Sequence, residues 1–193
     1  MLANVGTALQ QVNRNYGSRK IGVNYCKKIL IFIFFGFNTL ISFASELENG
    51  NLALTKNDYA DAIFWYNAAI KKNNFSAHHN LGLMYLNGTG VVQDHVRAYE
   101  LFRLAAEQGI VPAQFNLGVM YANGWGIVQN SVYAHMWFNL SAMQGEQNAD
   151  KNRDKVATFL STQAVMQAQT LAKERLAKNY KNCVPFEINQ YKK

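Results

Sequence analysis

Proline and cysteine are scarce in this 193-residue sequence, with two of each. So few prolines leave helices uninterrupted, and abundant Ala, Leu and Gln favour helix over an all-β sandwich. The cysteines are Cys26, ahead of an apolar segment, and Cys183 near the C-terminus. If the leader described below is removed, one thiol remains and no intramolecular disulfide can form. Cys183 is read as a tail thiol without a role. Histidine is also sparse: His78, His79, His95 and His135. No i,i+4 His pair or Cys/His cluster has zinc spacing, so these are read as surface or groove residues, and no metal or other cofactor is expected. Acidic residues are missing altogether from residues 1–44, which hold Arg14, Arg19, Lys20, Lys27 and Lys28. Those five account for most of the net charge of +7. The remaining 14 basic residues face 12 acidic ones, too weak a field to hold a phosphate backbone, so nucleic acid is not an expected partner.

What is present begins with a leader. Lys27 and Lys28 precede an apolar run from Ile29 to Phe43, broken mainly by Asn38 and Thr39, and Ser42-Phe43-Ala44 is a small-x-small triplet. A basic start, an apolar run of about 15 residues and a small-residue site describe a secretory signal peptide. The run falls short of the roughly 20 apolar residues a membrane span needs. Residues 27–44 are therefore expected to direct export, with cleavage after Ala44. The protein is then periplasmic or secreted from a bacterial envelope. A retained leader would make it membrane-anchored, the sole expected membrane contact. Residues 1–26 have no clear period and read as a disordered extension, or as sequence upstream of a true start near Val23.

An internal repeat is the strongest signal. Residues 77–112 and 113–148 are identical at eighteen of 36 positions without a gap, including Asn80-Leu81-Gly82 with Asn116-Leu117-Gly118 and Asn87-Gly88 with Asn123-Gly124. Each unit reads as helix, loop, helix. The first helix is expected from about Ala77 to Asn87 with Ser76 as N-cap, stopped by Gly88 and Gly90. Asp94 and Asn130 are N-caps for the second helices, Gly109 and Gly145 close them, and Pro112 opens a first turn. Gly82 and Ala98, small and mid-helix, imply close helix approach. Asp61 to Ile70 align with Arg97 to Ala106, which places half of a further unit upstream, with a shorter connection. Downstream, helices are expected over about 149–160 and 163–178. The domains read as units near 46–76, 77–112 and 113–148, a cap over 149–178 and a loose tail over 179–193.

The motif Ala77-x-x-x-Leu81-Gly82-x-x-Tyr85-x-x-Gly88-x-Gly90-Val91, then Ala98, Phe102, Ala105-Ala106 and Gly109, resembles the Sel-one-like repeat (SLR) family, relatives of tetratricopeptide repeats. It returns from Ala113 to Gly145, with Ile127 for Val and Ser141 for Ala. The first unit matches poorly and looks closer to the tetratricopeptide pattern. The resemblance implies an all-α fold: a right-handed α/α superhelix, or solenoid, of helix-turn-helix repeats with a C-terminal capping helix pair. It also implies scaffold work on a concave face lined by the first helices.

In that phase the residues facing the groove are His79, Leu83, Leu86 and Asn87, and one unit later Phe115, Val119, Ala122 and Asn123. They are the candidate partner-binding strip, for a protein or peptide held by a monomer. Trp125, between the loop glycines, is a second candidate, although packing on the neighbouring hairpin is the favoured reading. Trp65 and Trp137 sit at core-like phases. Gly88-x-Gly90 follows a helix and lacks a Lys-Ser/Thr, so it reads as a helix stop and not a phosphate loop. No catalytic constellation is apparent, and no enzyme is expected. The alternative is an exported enzyme or inhibitor acting on cell-wall or β-lactam chemistry. Cysteine-rich relatives suggest it, but the disulfide framework they carry is missing here.

Overall fold

The computed structural model describes residues 46–180. The expected extension, leader, Cys26 and Cys183 lie outside them. Eight helices follow one another: α1 (46–55), α2 (Tyr59–Lys71), α3 (Phe75–Asn87), α4 (His95–Ala106), α5 (Val111–Asn123), α6 (Ser131–Ala142), α7 (Ala149–Ala157) and α8 (Thr162–Ala177). There is no strand among the described residues. No helix described is long and apolar enough to cross a membrane.

The helices stack as consecutive hairpins. α3 packs on α4 and α5 on α6, while α4 packs on α5 and joins successive hairpins. One such hairpin cannot bury its own apolar face, so stability comes from stacking neighbours. The last two described helices, α7 and α8, both cover α6.

Local sequence sets each boundary. Asp94 and Asn130 cap α4 and α6 by accepting from the Arg97 and Tyr133 amides at 2.9 and 3.1 Å. Pro112 sits in the first turn of α5. Asn74, not Ser76, caps α3, accepting from the Ala77 amide at 3.2 Å, so that helix starts two residues earlier than its motif. Asn73 takes the left-handed conformation (φ 60°) just ahead of it, which fixes where the chain turns. The α1–α2 connection is residues 56–58, against 88–94 for α3–α4, the compression the sequence implied.

A glycine–aromatic socket repeats three times. A Cβ on Gly50, Gly82 or Gly118 would lie 2.6–2.7 Å from ring carbons of Tyr66, Phe102 and Phe138 respectively. The glycines let each first helix close onto the buried aromatic of its second helix. Trp137 is buried as expected, but Trp65 is only half-buried, edge-on to the exposed Phe64. Two histidines also depart from expectation. His78 and His135 are buried, at 8% and 3% exposure. His78 is held by Nδ1 on the Asn74 carbonyl at 3.1 Å and stacks on Phe75. His135 lies among the apolar side chains of α6. Of the expected tail, Asn179 and Tyr180 are among the described residues, and Tyr180 packs back on the array. Its amide donates to the Arg175 carbonyl at 2.8 Å, and its ring lies beside Gly109.

Candidate functional site

The first helices carry the expected strip. Leu83, Leu86, Phe115, Val119 and Ala122 are half-buried, leaning on the main core with one side open. Asn87 and Asn123 end their helices and are exposed. The Asn123 amide donates to the Val119 carbonyl at 2.8 Å, and its oxygen has no hydrogen-bond partner among the described residues. Gln93 and Gln129, at equivalent positions, donate to the Leu86 and Ala122 carbonyls at 2.7 and 2.8 Å and so fix the loop against the helix end.

His79 is used within the protein. Its ring leans on Phe102. Nδ1 lies 3.2 Å from Asn80 Oδ1 and Nε2 lies 3.1 Å from Asn116 Nδ2. A neutral ring protonated on Nδ1 satisfies both contacts, donating to Asn80 and accepting from Asn116. Burial pushes its pKa below the ordinary histidine value, and the Asn80 contact opposes that shift. Asn80 Nδ2 in turn donates to Asn51 Oδ1 at 2.8 Å, which also accepts from the Tyr66 hydroxyl at 2.8 Å. The result is a polar ladder from α1 through α3 to α5. Sequence reasoning missed Asn51, Tyr66, Asn80 and Asn116 as a unit. The available signal was the Asn80/Asn116 identity at the repeat spacing.

The ladder stops at α5. Thirty-six residues beyond Asn116 and His79 stand Asn152 and Phe115. A phenyl ring cannot accept a hydrogen bond in the plane of an imidazole nitrogen. The Asn152 amide instead turns back to the Asn148 carbonyl at 2.8 Å, and Phe115 tilts onto Phe138. On this unbridged side a cleft of about 520 Å³ lies among α5, α6 and α7. It brings together three of the predicted strip residues, Val119, Ala122 and Asn123, with Phe138, Val156 and Phe159. Leu83, Leu86 and Asn87 lie one unit earlier and outside it. Phe159 is 77% exposed, an unusual position for a phenyl ring.

Trp125 stacks on His95 of the preceding unit, with ring centroids 5.5 Å apart, and stays 39% exposed. Its neighbour Gly126 (φ 69°) presses on the His95 backbone, as Gly90 presses on Tyr59. No group of three or more His, Cys, Asp or Glu able to hold a metal occurs among the described residues.

The repeat geometry agrees with comparison to known proteins. The Sel1 repeat model matches residues 44–74, 75–110 and 111–146, more than half of the sequence. This chain belongs to the Sel1 repeat family. The match includes the short first unit, which the motif alone placed nearer to the tetratricopeptide pattern. Its Gly50–Tyr66 socket repeats the Gly82–Phe102 and Gly118–Phe138 contacts of the other two units across a shortened loop. No curated protein matches the sequence. Among solved Sel1-like structures, c5321, a protective antigen of uropathogenic Escherichia coli with an SLR fold, is 27% identical with a TM-score of 0.67. The alignment covers 73% of this chain and 31% of c5321. A Sel1 repeat protein from Oxalobacter formigenes is 29% identical with a TM-score of 0.56, over 68% of this chain and 58% of that one. The chain therefore spans about a third of one neighbour and over half of the other.

Proposed function

We propose that this Sel1 repeat protein is an exported scaffold that holds a segment of a partner protein along its first helices, and that it is not an enzyme. The observation that carries this reading is the character of the α5–α7 cleft. Its walls are mainly apolar and amide side chains, with Ser131 and a single charged residue, Lys155, and no convergent pair of titratable groups. Apolar walls with a few amides suit a peptide, since the former supply burial and the latter bind backbone groups. Export rests on the Lys27 to Ala44 pattern.

Two experiments test the proposal. Asn87→Arg with Asn123→Arg puts bulk at the mouth of the strip. Both positions are exposed and end helices, where a cation suits the dipole, so the melting curve should not change. Proteins captured from the envelope by the unaltered chain should be lost by this variant and retained by one altered at Trp125. Retention by the strip variant would move the site elsewhere. For export, N-terminal sequencing of the mature protein should begin at or near Ser45. A cytosolic product that keeps the leader would refute it.

A further inference from the structure

The α5–α7 cleft also has a charge asymmetry. Lys155 is its one charged lining residue, and no carboxylate lines it. Of the neighbouring charges on α7, Arg153 pairs with Asp150 at 2.7 Å and Asp154 at 2.9 Å, and Lys151 does not line the cleft. Lys155 has no ion-pair partner among the described residues. It stands beside Val156 and four residues before Phe159, which lies just past the end of α7 and whose ring is the most exposed large apolar group of the wall.

Resting on the binding reading above, we propose that the cleft selects a peptide segment bearing an Asp or Glu close to a large apolar residue. The apolar side chain sits against the exposed ring of Phe159, and the carboxylate meets the Lys155 ammonium. The unpartnered amide oxygen of Asn123 accepts from a peptide N–H. The partner is thus an acidic-apolar segment of another protein. Between α3 and α5 the Asn116–His79 hydrogen bond spans the equivalent gap, which the Asn152 side chain does not do between α5 and α7.

The test is selection of a random octapeptide phage library on the full chain, repeated on Lys155→Glu, Phe159→Ser and Asn116→Ala. The unaltered chain should enrich peptides that combine an acidic with a large apolar residue, and their binding should fall with added salt. Lys155→Glu should bind those peptides about three- to tenfold more weakly and instead enrich ones that combine a basic with a large apolar residue. That range reflects an exposed ion pair turned from attraction to repulsion. Phe159→Ser should lose both classes while melting normally, because the ring it removes is exposed. Asn116→Ala, which breaks the ladder outside the cleft, should leave the preference intact. Peptides that need Phe159 but ignore the charge at Lys155 would overturn this inference and leave the groove reading standing. Peptides that bind Phe159→Ser undiminished, or no enrichment at all, would overturn both.

Discussion

Arg175 is the residue whose position calls most for explanation. It is 7% exposed, and its guanidinium makes no hydrogen bond or ion pair among the described residues. It lies 4.6 Å over the Trp137 ring instead. Stacking of a desolvated cation on indole returns about 2 kcal/mol, less than the several kcal/mol lost when an ion leaves water. Arg175→Met keeps the flexible stem over the ring and removes the charge. It should raise Tm by roughly 2–4 °C, from about 1 kcal/mol gained, as measured by calorimetry. A lower Tm would show that the ring contact outweighs desolvation. Two histidines, His79 and His135, predict a pH dependence. Burial depresses the pKa of both His79 and His135, and Arg153 adds to the effect at His135. Each binds its proton more readily in the unfolded chain, whose histidines titrate at about 6.5. Their stabilising effect is complete above that value and is lost as pH falls through it towards the folded values. Urea midpoints should therefore drop between pH 7.5 and 5, and the drop should shrink in His135→Leu. An unchanged slope would remove His135 from this account.

For a helix pair, the glycine–aromatic socket is the contact to test. Phe138 is buried to 1% and has nowhere to swing, so a methyl at Gly118 pushes the α5–α6 pair apart. Gly118→Ala should destabilise by about 1–3 kcal/mol, read from denaturant unfolding. Gly145→Ala is the control. Nothing lies within 4 Å of a Cβ there, so only its left-handed backbone (φ 91°) resists, at about 1 kcal/mol. Equal losses would mean that the socket is slack. Much of this level was legible in sequence, because Gly82/Gly118 and Phe102/Phe138 recur at the repeat spacing and the capping oxygens of Asp94 and Asn130 act locally. What was not legible depends on distance or on burial. Asn74 and Ser76 are both good N-caps, and the left-handed Asn73 decides between them. His135 looks polar in sequence, yet it sits on an α6 covered from two sides. The ladder also needs Asn51 with Asn80, 29 residues apart, a step that the Asn80/Asn116 identity at the 36-residue spacing does not announce. The cleft is defined by a pairing that fails, visible only once α5 and α7 are side by side.

At the scale of the molecule, the array is held by its ends as much as by its units. α6 buries Trp137, Phe138 and Leu140, and α7 and α8 cover it; Ala168 and Ala172 of α8 belong to the same core. A chain stopped after residue 148 would expose that face to water. Because each unit contacts only its neighbours, the loss should spread inward from the C-terminal end. Such a truncation should melt at lower temperature and with lower cooperativity, by circular dichroism. It should also bind a dye specific for exposed apolar surface. A sharp transition at the original Tm would show that the last two helices are dispensable.

The uneven ladder also has a mechanical side. From α1 to α5, adjacent first helices are cross-braced by hydrogen bonds at 2.8 and 3.1 Å. From α5 to α7 no such bond joins the two helices directly; Gln144, in the turn before α7, donates to Gln114 of α5 at 2.7 Å. Loaded along its length, the array would act as two springs in series, a stiffer one towards the N-terminal end and a more compliant one towards the other. Extension would concentrate in the compliant element, so the α5–α7 cleft would widen before the braced section does.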